Sequence, residues 1–396
     1  MHAFGFDLRP RAPRPLLTVD DYRRAARRRL PAMVREYIDG GADDLATLTA
    51  NRAAFARWGF RPRVLTGHQS PDLATTVAGV DLDLPVLLAP VGLTGLAHWQ
   101  GDVAAARAAE RRGTRHVLST ASSWTIEEVA ESTTRAHFFQ LYPHSGDTAT
   151  ALMARAWNAG YRTMMVTVDY PVRGNREGER RTGMGPPPTL TPVQALRMCR
   201  HPTWTYQTLR HRRISARNLV EGGGVAAAVE SVEIQERHLS QATLNWDDLT
   251  WLRDGWQGRL YVKGILTAQD AEKAVSCGMD GVVVSNHGGR QLDFAPAALD
   301  VLPEIVAAVP NTEVLLDGGV RRGSDVIKAL ALGARAVLIG RPYAYGLAVG
   351  AEDGVARVLD IFAEEIERTL ALLGAPSVQA LDPTWLRPHP TPLNAG

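Results

Sequence analysis

Eight short apolar runs recur along the chain, at residues 84–89, 116–120, 137–142, 163–169, 259–263, 280–285, 313–317 and 335–339. Helical patterns fall between most of them, at 102–112, 147–159, 267–277, 297–308 and 322–332. β-Branched runs of this length read as strands buried on both faces, and their alternation with helices calls for a parallel sheet. Eight such units over roughly 250 residues match a (β/α)8 TIM barrel. A doubly wound open sheet is the competing arrangement. The barrel is preferred because the strand number fits and because polar residues end nearly every run.

The beat breaks once. Residues 171–245 separate the fourth and fifth runs, far more than a strand-to-helix connection needs. The reading is one domain over residues 1–396, with the barrel at about 84–370 and an insertion at about 177–245 lying over the catalytic face. Before the barrel, Thr18 with Asp21 resembles a helix N-cap, and the helical pattern that follows runs to Gly40-Gly41. Thr125 with Glu128 carries a capping-box signature.

Composition narrows the class. Apolar residues make up 45% and charged residues 22%, as in a soluble globular protein. A formal net charge of +2 speaks against a dedicated nucleic-acid binder. Arginines crowd the N-terminus (Arg9, Arg11, Arg14, Arg23, Arg24, Arg27, Arg28, Arg29), with a second basic cluster near residue 210. Cys199 and Cys277 stand far apart without metal-ligand spacing, so neither a disulfide scaffold nor a metal site is expected. No run reaches transmembrane length and no apolar segment follows the N-terminal charge, so an intracellular, cytoplasmic protein is expected, with peripheral membrane contact left open.

In a barrel the chemistry sits where the strands end. After Gly281-Val282-Val283-Val284 comes Ser-Asn-His-Gly-Gly-Arg-Gln-Leu-Asp at 285–293. It delivers a base, His287, and a fixed cation, Arg290, which together point to proton abstraction from a small acid. The other strand ends bring Gly92, Ser119, Gln140 with Tyr142, Thr167 with Asp169, Lys263, Asp317 and Gly340. Asp317-Gly318-Gly319-Val320-Arg321 and Gly340-Arg341 follow the last two strands. Exposed backbone N–H groups and two guanidinium groups there suit a phosphate.

These stretches, with Val262-Lys263-Gly264-Ile265, resemble the FMN-dependent 2-hydroxy-acid dehydrogenases and oxidases over nearly the whole chain. Several local stretches, among them Gly92-Leu93-Thr94-Gly95 and His201-Pro202-Thr203-Trp204, are most similar to the mandelate and lactate dehydrogenase branches. The resemblance implies bound FMN and oxidation of an (S)-2-hydroxy acid to its 2-oxo acid. It assigns His287 as base and Asp169 as its orienting carboxylate, and it puts Tyr142 near the substrate oxygens. Tyr37, Arg176 and Arg290 become carboxylate clamps. Gly92, Ser119, Gln140 and Thr167 line the flavin, Lys263 stands at its pyrimidine edge, Asp317 contacts the ribityl chain, Arg321, Gly340 and Arg341 contact the phosphate, and Gly319 is a further cofactor-binding position. Ala121, where glycolate oxidases carry a bulky aromatic, leaves room for an aromatic substrate side chain.

The resemblance further implies a homo-oligomer, tetrameric in relatives, and an electron acceptor that is a quinone, oxygen or a redox protein. Gly92 favours an acceptor other than oxygen. An oxidase releasing hydrogen peroxide and a lactate dehydrogenase are the neighbouring readings. A flavin-dependent isomerase is disfavoured by the joint presence of His287, Arg290, Arg176 and Tyr37. Basic residues mixed with Leu196, Met198, Trp204, Tyr206 and Leu209 allow the insertion to dock on an anionic bilayer, and a lid over the site is the other reading.

Overall fold

The computed structural model describes residues 15–389 apart from 68–69, 144–145, 186–187, 189–190 and 242–244. Arg9, Arg11 and Arg14 of the N-terminal basic cluster lie outside them.

Eight parallel strands form the central sheet: β1 Val86–Leu88, β2 Val117–Ser119, β3 Phe138–Leu141, β4 Thr163–Thr167, β5 Arg259–Ile265, β6 Gly281–Val284, β7 Glu313–Asp317 and β8 Ala336–Ile339. Each pairs with its sequence neighbour from β2 round to β8, and β8 pairs with β1. A single bridge from Leu88 to His116 joins β1 to the start of β2 and closes the ring. The expected (β/α)8 barrel is therefore present.

Side chains alternate across a strand, so each strand sends every second residue inward. Leu87, Val117, Phe138, Met165, Tyr261, Val283, Leu315 and Leu338 pack as one buried inner cluster. The hairpin Thr75–Val77/Val80–Leu82 adds Val77, Ala78 and Leu82 to that cluster. Two residues further along, the same inward face carries Ser119, Gln140, Thr167, Lys263, Ser285 and Asp317. The apolar layer holds the barrel together and the polar layer above it is the site. A larger core lies outside, where the alternate strand faces meet the surrounding helices.

Two helices, Val19–Arg29 and Ala32–Asp39, replace the single N-terminal helix expected up to Gly40-Gly41. Pro31 lacks an N–H and forces Leu30 into extended backbone, which ends the first helix. The break lets the second helix deliver Tyr37 and its terminal carbonyls to the catalytic face. Thr18 and Thr125 both form the expected capping boxes.

The insertion contains helices Glu177–Thr182, Pro192–Met198, Pro202–His211 and Val225–Gln241, and ends at Asn245, the N-cap of the barrel helix Trp246–Gly255. Its later limb is sewn to the loops after β1 and β2. Trp204 donates to the Leu96 carbonyl at 2.7 Å, Arg213 pairs with Glu128 at 2.9 Å, and Asn218 accepts from the Ile126 N–H at 2.9 Å. Those two loops are themselves tied by buried Asp102, which accepts from Thr94 (2.6 Å) and Ser122 (2.7 Å).

Candidate active site

His287 follows β6 directly and adopts φ +58°, a left-handed conformation uncommon outside glycine. Its backbone N–H donates to Ser285 Oγ at 3.0 Å, which helps hold it there. The imidazole Nδ1 lies 3.0 Å from Asp169 Oδ1, and Nε2 lies 3.4 Å from the Tyr142 hydroxyl. With Asp169 accepting from Nδ1–H, Nε2 is the nitrogen left to take a proton. Burial pulls the His287 pKa below its ordinary value, Asp169 opposes that shift, and Lys263 and Arg176 reinforce it. The ring is thus neutral at neutral pH and able to act as a base. Burial also keeps the Tyr142 phenol protonated far above its usual range, so it serves as a hydrogen-bond donor.

Asp169 reaches the imidazole because Gly264 makes room. Strand β5 is irregular at Lys263–Ile265, and Gly264 sits at φ +112°. A Cβ on Gly264 would stand 2.6 Å from the Asp169 Cβ, so only glycine fits. The Lys-Gly pair in β5 therefore serves two strands at once.

Lys263 is fully buried and bonds both Ser285 Oγ (2.9 Å) and Asp317 Oδ2 (2.8 Å), while Ser285 donates to the same carboxylate at 2.8 Å. Burial alone would favour the neutral amine, but Asp317 and Asp169 outweigh it and raise the lysine's pKa. Burial likewise works against the Asp317 charge, and Lys263 with Ser285 overcomes it. On the neighbouring strands Ser119 donates to Gln140 Oε1 (3.1 Å) and Gln140 Nε2 donates to Thr167 (3.0 Å), which fixes the direction of the amide.

The anion end is built from both sides of the face. Tyr37 donates to the Gly92 carbonyl at 2.9 Å, and the Arg290 guanidinium lies 5.1 Å from the Tyr37 ring centre. Arg290 also donates to the Tyr37 and Gly40 carbonyls, and Arg176 donates to the Arg290 carbonyl at 3.1 Å. Behind them stands Glu179, 1% exposed, which pairs with Arg290 at 2.8 Å and Arg173 at 2.9 Å and lies 3.9 Å from Arg176.

One cavity of about 370 Å3 joins these groups. Its wall includes Tyr37, Gly92, Ser119, Ala121, Tyr142, Arg176, Lys263, His287, Arg290, Asp317, Gly319, Arg321, Gly340 and Arg341. Asp169, Gln140 and Thr167 are not part of that wall and stand behind it. Gly92 and Ala121 face each other closely: a Cβ on Gly92 would come 3.0 Å from that of Ala121.

The loops after β7 and β8 could hold a phosphate. Gly319, at φ +81°, packs so tightly on the Asn51 carbonyl that a Cβ would clash at 2.1 Å. Arg321 and Arg341 are both half-buried there. Burial first, then mutual repulsion with Arg290 and Arg321, pushes the Arg341 pKa down to about 10, an arrangement that a bound anion would relieve. Arg341 uses three of its five N–H donors on the carbonyls of Ile38, Gly288 and Gly40, so it also anchors the N-terminal helices to the barrel. The donor set fits FMN: a phosphate end after β7 and β8, and polar groups on the strand ends.

Two members of this site escaped sequence reading. Ser285 lay inside the nine-residue run, two positions after inward-facing Val283, and the period of two would have found it. Glu179 sits in Arg176-Glu177-Gly178-Glu179-Arg180-Arg181, which reads as a solvated helix face; its only local signal is the spacing from Arg176.

Comparison with known proteins agrees with the geometry. The model of the family described as FMN-dependent dehydrogenase matches residues 26–388. (S)-Mandelate dehydrogenase of Pseudomonas putida is 40% identical over 375 residues, covering 94% of each chain. L-Lactate oxidase of a Nostoc species is 44% identical over 372 residues, covering 92% of this chain and 96% of the relative. A crystal structure described as monotopic membrane protein (S)-mandelate dehydrogenase superposes with a TM-score of 0.90 at 40% identity, covering 94% of this chain and all of that one. On these grounds the chain belongs to the FMN-dependent dehydrogenase family.

Proposed function

We propose that the protein oxidises an (S)-2-hydroxy acid with an aromatic, mandelate-like side chain to its 2-oxo acid and passes the electrons to a quinone or another acceptor. The observation that carries this reading is that His287, backed by Asp169, lines one cavity together with Arg176 and Arg290. Bound FMN supplies the two-electron sink. Arg176, Arg290 and Tyr37 would hold the substrate carboxylate, a planar group matched by guanidinium forks. Held there, the carbinol would face His287 Nε2, with the Tyr142 hydroxyl beside it. Of the two hydrogens lost, His287 would take one as a proton, the other hydrogen and the two electrons would pass to the flavin, and Asp169 would steady the resulting imidazolium. Lys263, kept charged by Asp317, would offset negative charge building at the reduced cofactor. Ser119, Gln140 and Thr167 would meet the flavin ring, Asp317 the ribityl chain, and Gly319, Arg321, Gly340 and Arg341 the phosphate.

Small Ala121 beside Gly92 supports an aromatic side chain over a methyl group. Anaerobic mixing with a panel of 2-hydroxy acids, read as loss of flavin absorbance, tests the reading. Fast reduction by (S)-mandelate and slow reduction by glycolate are expected; no reduction by any member would refute it. Turnover under air, compared with a dye acceptor, decides the oxidant, and rapid peroxide release would favour the oxidase.

The insertion supports membrane contact. Residues 191–213 hold five arginines and no Asp or Glu, and Val193, Leu196, Tyr206 and Leu209 are exposed among them. An apolar surface ringed by arginine suits an anionic bilayer. Among the described residues no helix is long and apolar enough to cross one. Assembly as a homo-oligomer remains part of the proposal.

A further inference from the structure

The cavity's lining is of two kinds: Arg176, Arg290 and Tyr37 supply cationic and phenolic groups, and Met184, Met198, Trp204, Ile214, Val229 and Val232 of the insertion supply an apolar arm of the wall. Among the described residues between 184 and 235, no charged side chain lines it. Trp204 is 7% exposed and held by its bond to the Leu96 carbonyl, so this wall is anchored to the barrel. Leu209 and Val225 also line the cavity and are 72% and 68% exposed, so this part of the wall borders solvent. A single cavity that combines guanidinium groups with an apolar wall is complementary to an amphiphilic carboxylate.

We infer that the arm receives the substrate's own side chain, and that the preferred substrates are 2-hydroxy acids whose apolar chain extends beyond a single ring. This rests on the 2-hydroxy-acid reading above. Once guanidinium groups fix the carboxylate and His287 the carbinol, the remaining substituent must project into the same enclosed space. Each methylene that leaves water for such a wall gains about fourfold in binding at full burial, corresponding to about 0.8 kcal/mol. Two methionines in the wall give it the adaptability that a flexible chain requires.

The test is anaerobic flavin reduction of the holoenzyme by straight-chain (S)-2-hydroxy acids from lactate through hexanoate and octanoate to decanoate. The second-order rate constant is expected to climb at least tenfold from lactate to 2-hydroxyoctanoate. Ala228→Phe and Val229→Trp narrow the arm, and each should lower the octanoate-to-lactate ratio at least tenfold; flavin content and the melting curve report whether each variant is folded. A flat chain-length profile in the wild type overturns the inference without touching the 2-hydroxy-acid reading, and so does an unchanged ratio in both variants. Failure of every acid to reduce the flavin sinks both. If Ala228→Phe spares reduction by 2-hydroxyoctanoate but abolishes turnover with decylubiquinone, the arm serves the electron acceptor instead and the inference falls.

Discussion

The polar layer of the barrel and the insertion above it are built on opposite plans. In the layer, Lys263, Ser285 and Asp317 form a closed triangle of bonds, and Ser119, Gln140 and Thr167 a directed chain, all on strands that share one ladder. Lys263, Ser285 and Gln140 are each held by more than one partner, as a site must be when its geometry sets the rate. The insertion instead meets the barrel through separate side-chain contacts, among them those of Glu179, Trp204, Arg213 and Asn218, and keeps Leu196, Tyr206 and Leu209 in the open. The contrast fits the proposed division of labour, in which the barrel would fix the reaction and the insertion would decide what reaches it.

The largest break in that contrast would come from the buried triangle. Asp317→Ala leaves Lys263 charged with its principal partner gone, and should cost about 3–5 kcal/mol in chemical denaturation. Little loss would mean that the layer is less tightly determined than its bonds imply. Asp169→Asn should slow anaerobic flavin reduction about a hundredfold or more. It also shifts the pH profile. Activity needs neutral His287, so the rate rises with pH and levels off above a pKa that burial holds below the ordinary value of about 6.5. Asp169 raises that pKa, so its removal should move the acid limb to still lower pH; an unmoved limb would detach Asp169 from the base.

Smaller effects sharpen the other side. Ala121→Trp should penalise mandelate relative to lactate by about tenfold, and equal losses on both would remove Ala121 from the side-chain pocket. Leu196→Glu combined with Tyr206→Glu should weaken binding to anionic vesicles severalfold while leaving anaerobic reduction intact; unchanged sedimentation with vesicles would count against membrane docking. The two capping boxes give the finest comparison. Thr125→Ala on a barrel helix should lower global stability by about 1 kcal/mol. Thr191→Ala, on an insertion helix with no buried residue, should leave the global melting transition in place and loosen only local hydrogen exchange.

How far the chain could be read follows the same division. The barrel was legible because buried strands alternate with helices, and because Ser285–Asp293 concentrates base, glycines and cation in one loop. Pro31 was visible yet outweighed by the helical pattern around it. The role of Gly264 was hidden, since its reason is contact with Asp169, far away in sequence. Glu179 was hidden because burial of a carboxylate depends on three arginines that only folding gathers. The cavity's apolar arm could not be read at all: its walls come from separate helices whose meeting is a tertiary fact.

His287 is where these threads meet, and one measurement tests it most directly. His287→Ala is to be purified with its flavin and mixed without oxygen with (S)-mandelate beside the wild type. The account predicts an unaltered yellow spectrum at rest and flavin bleaching slowed by about a thousandfold. Bleaching at the wild-type rate would contradict it.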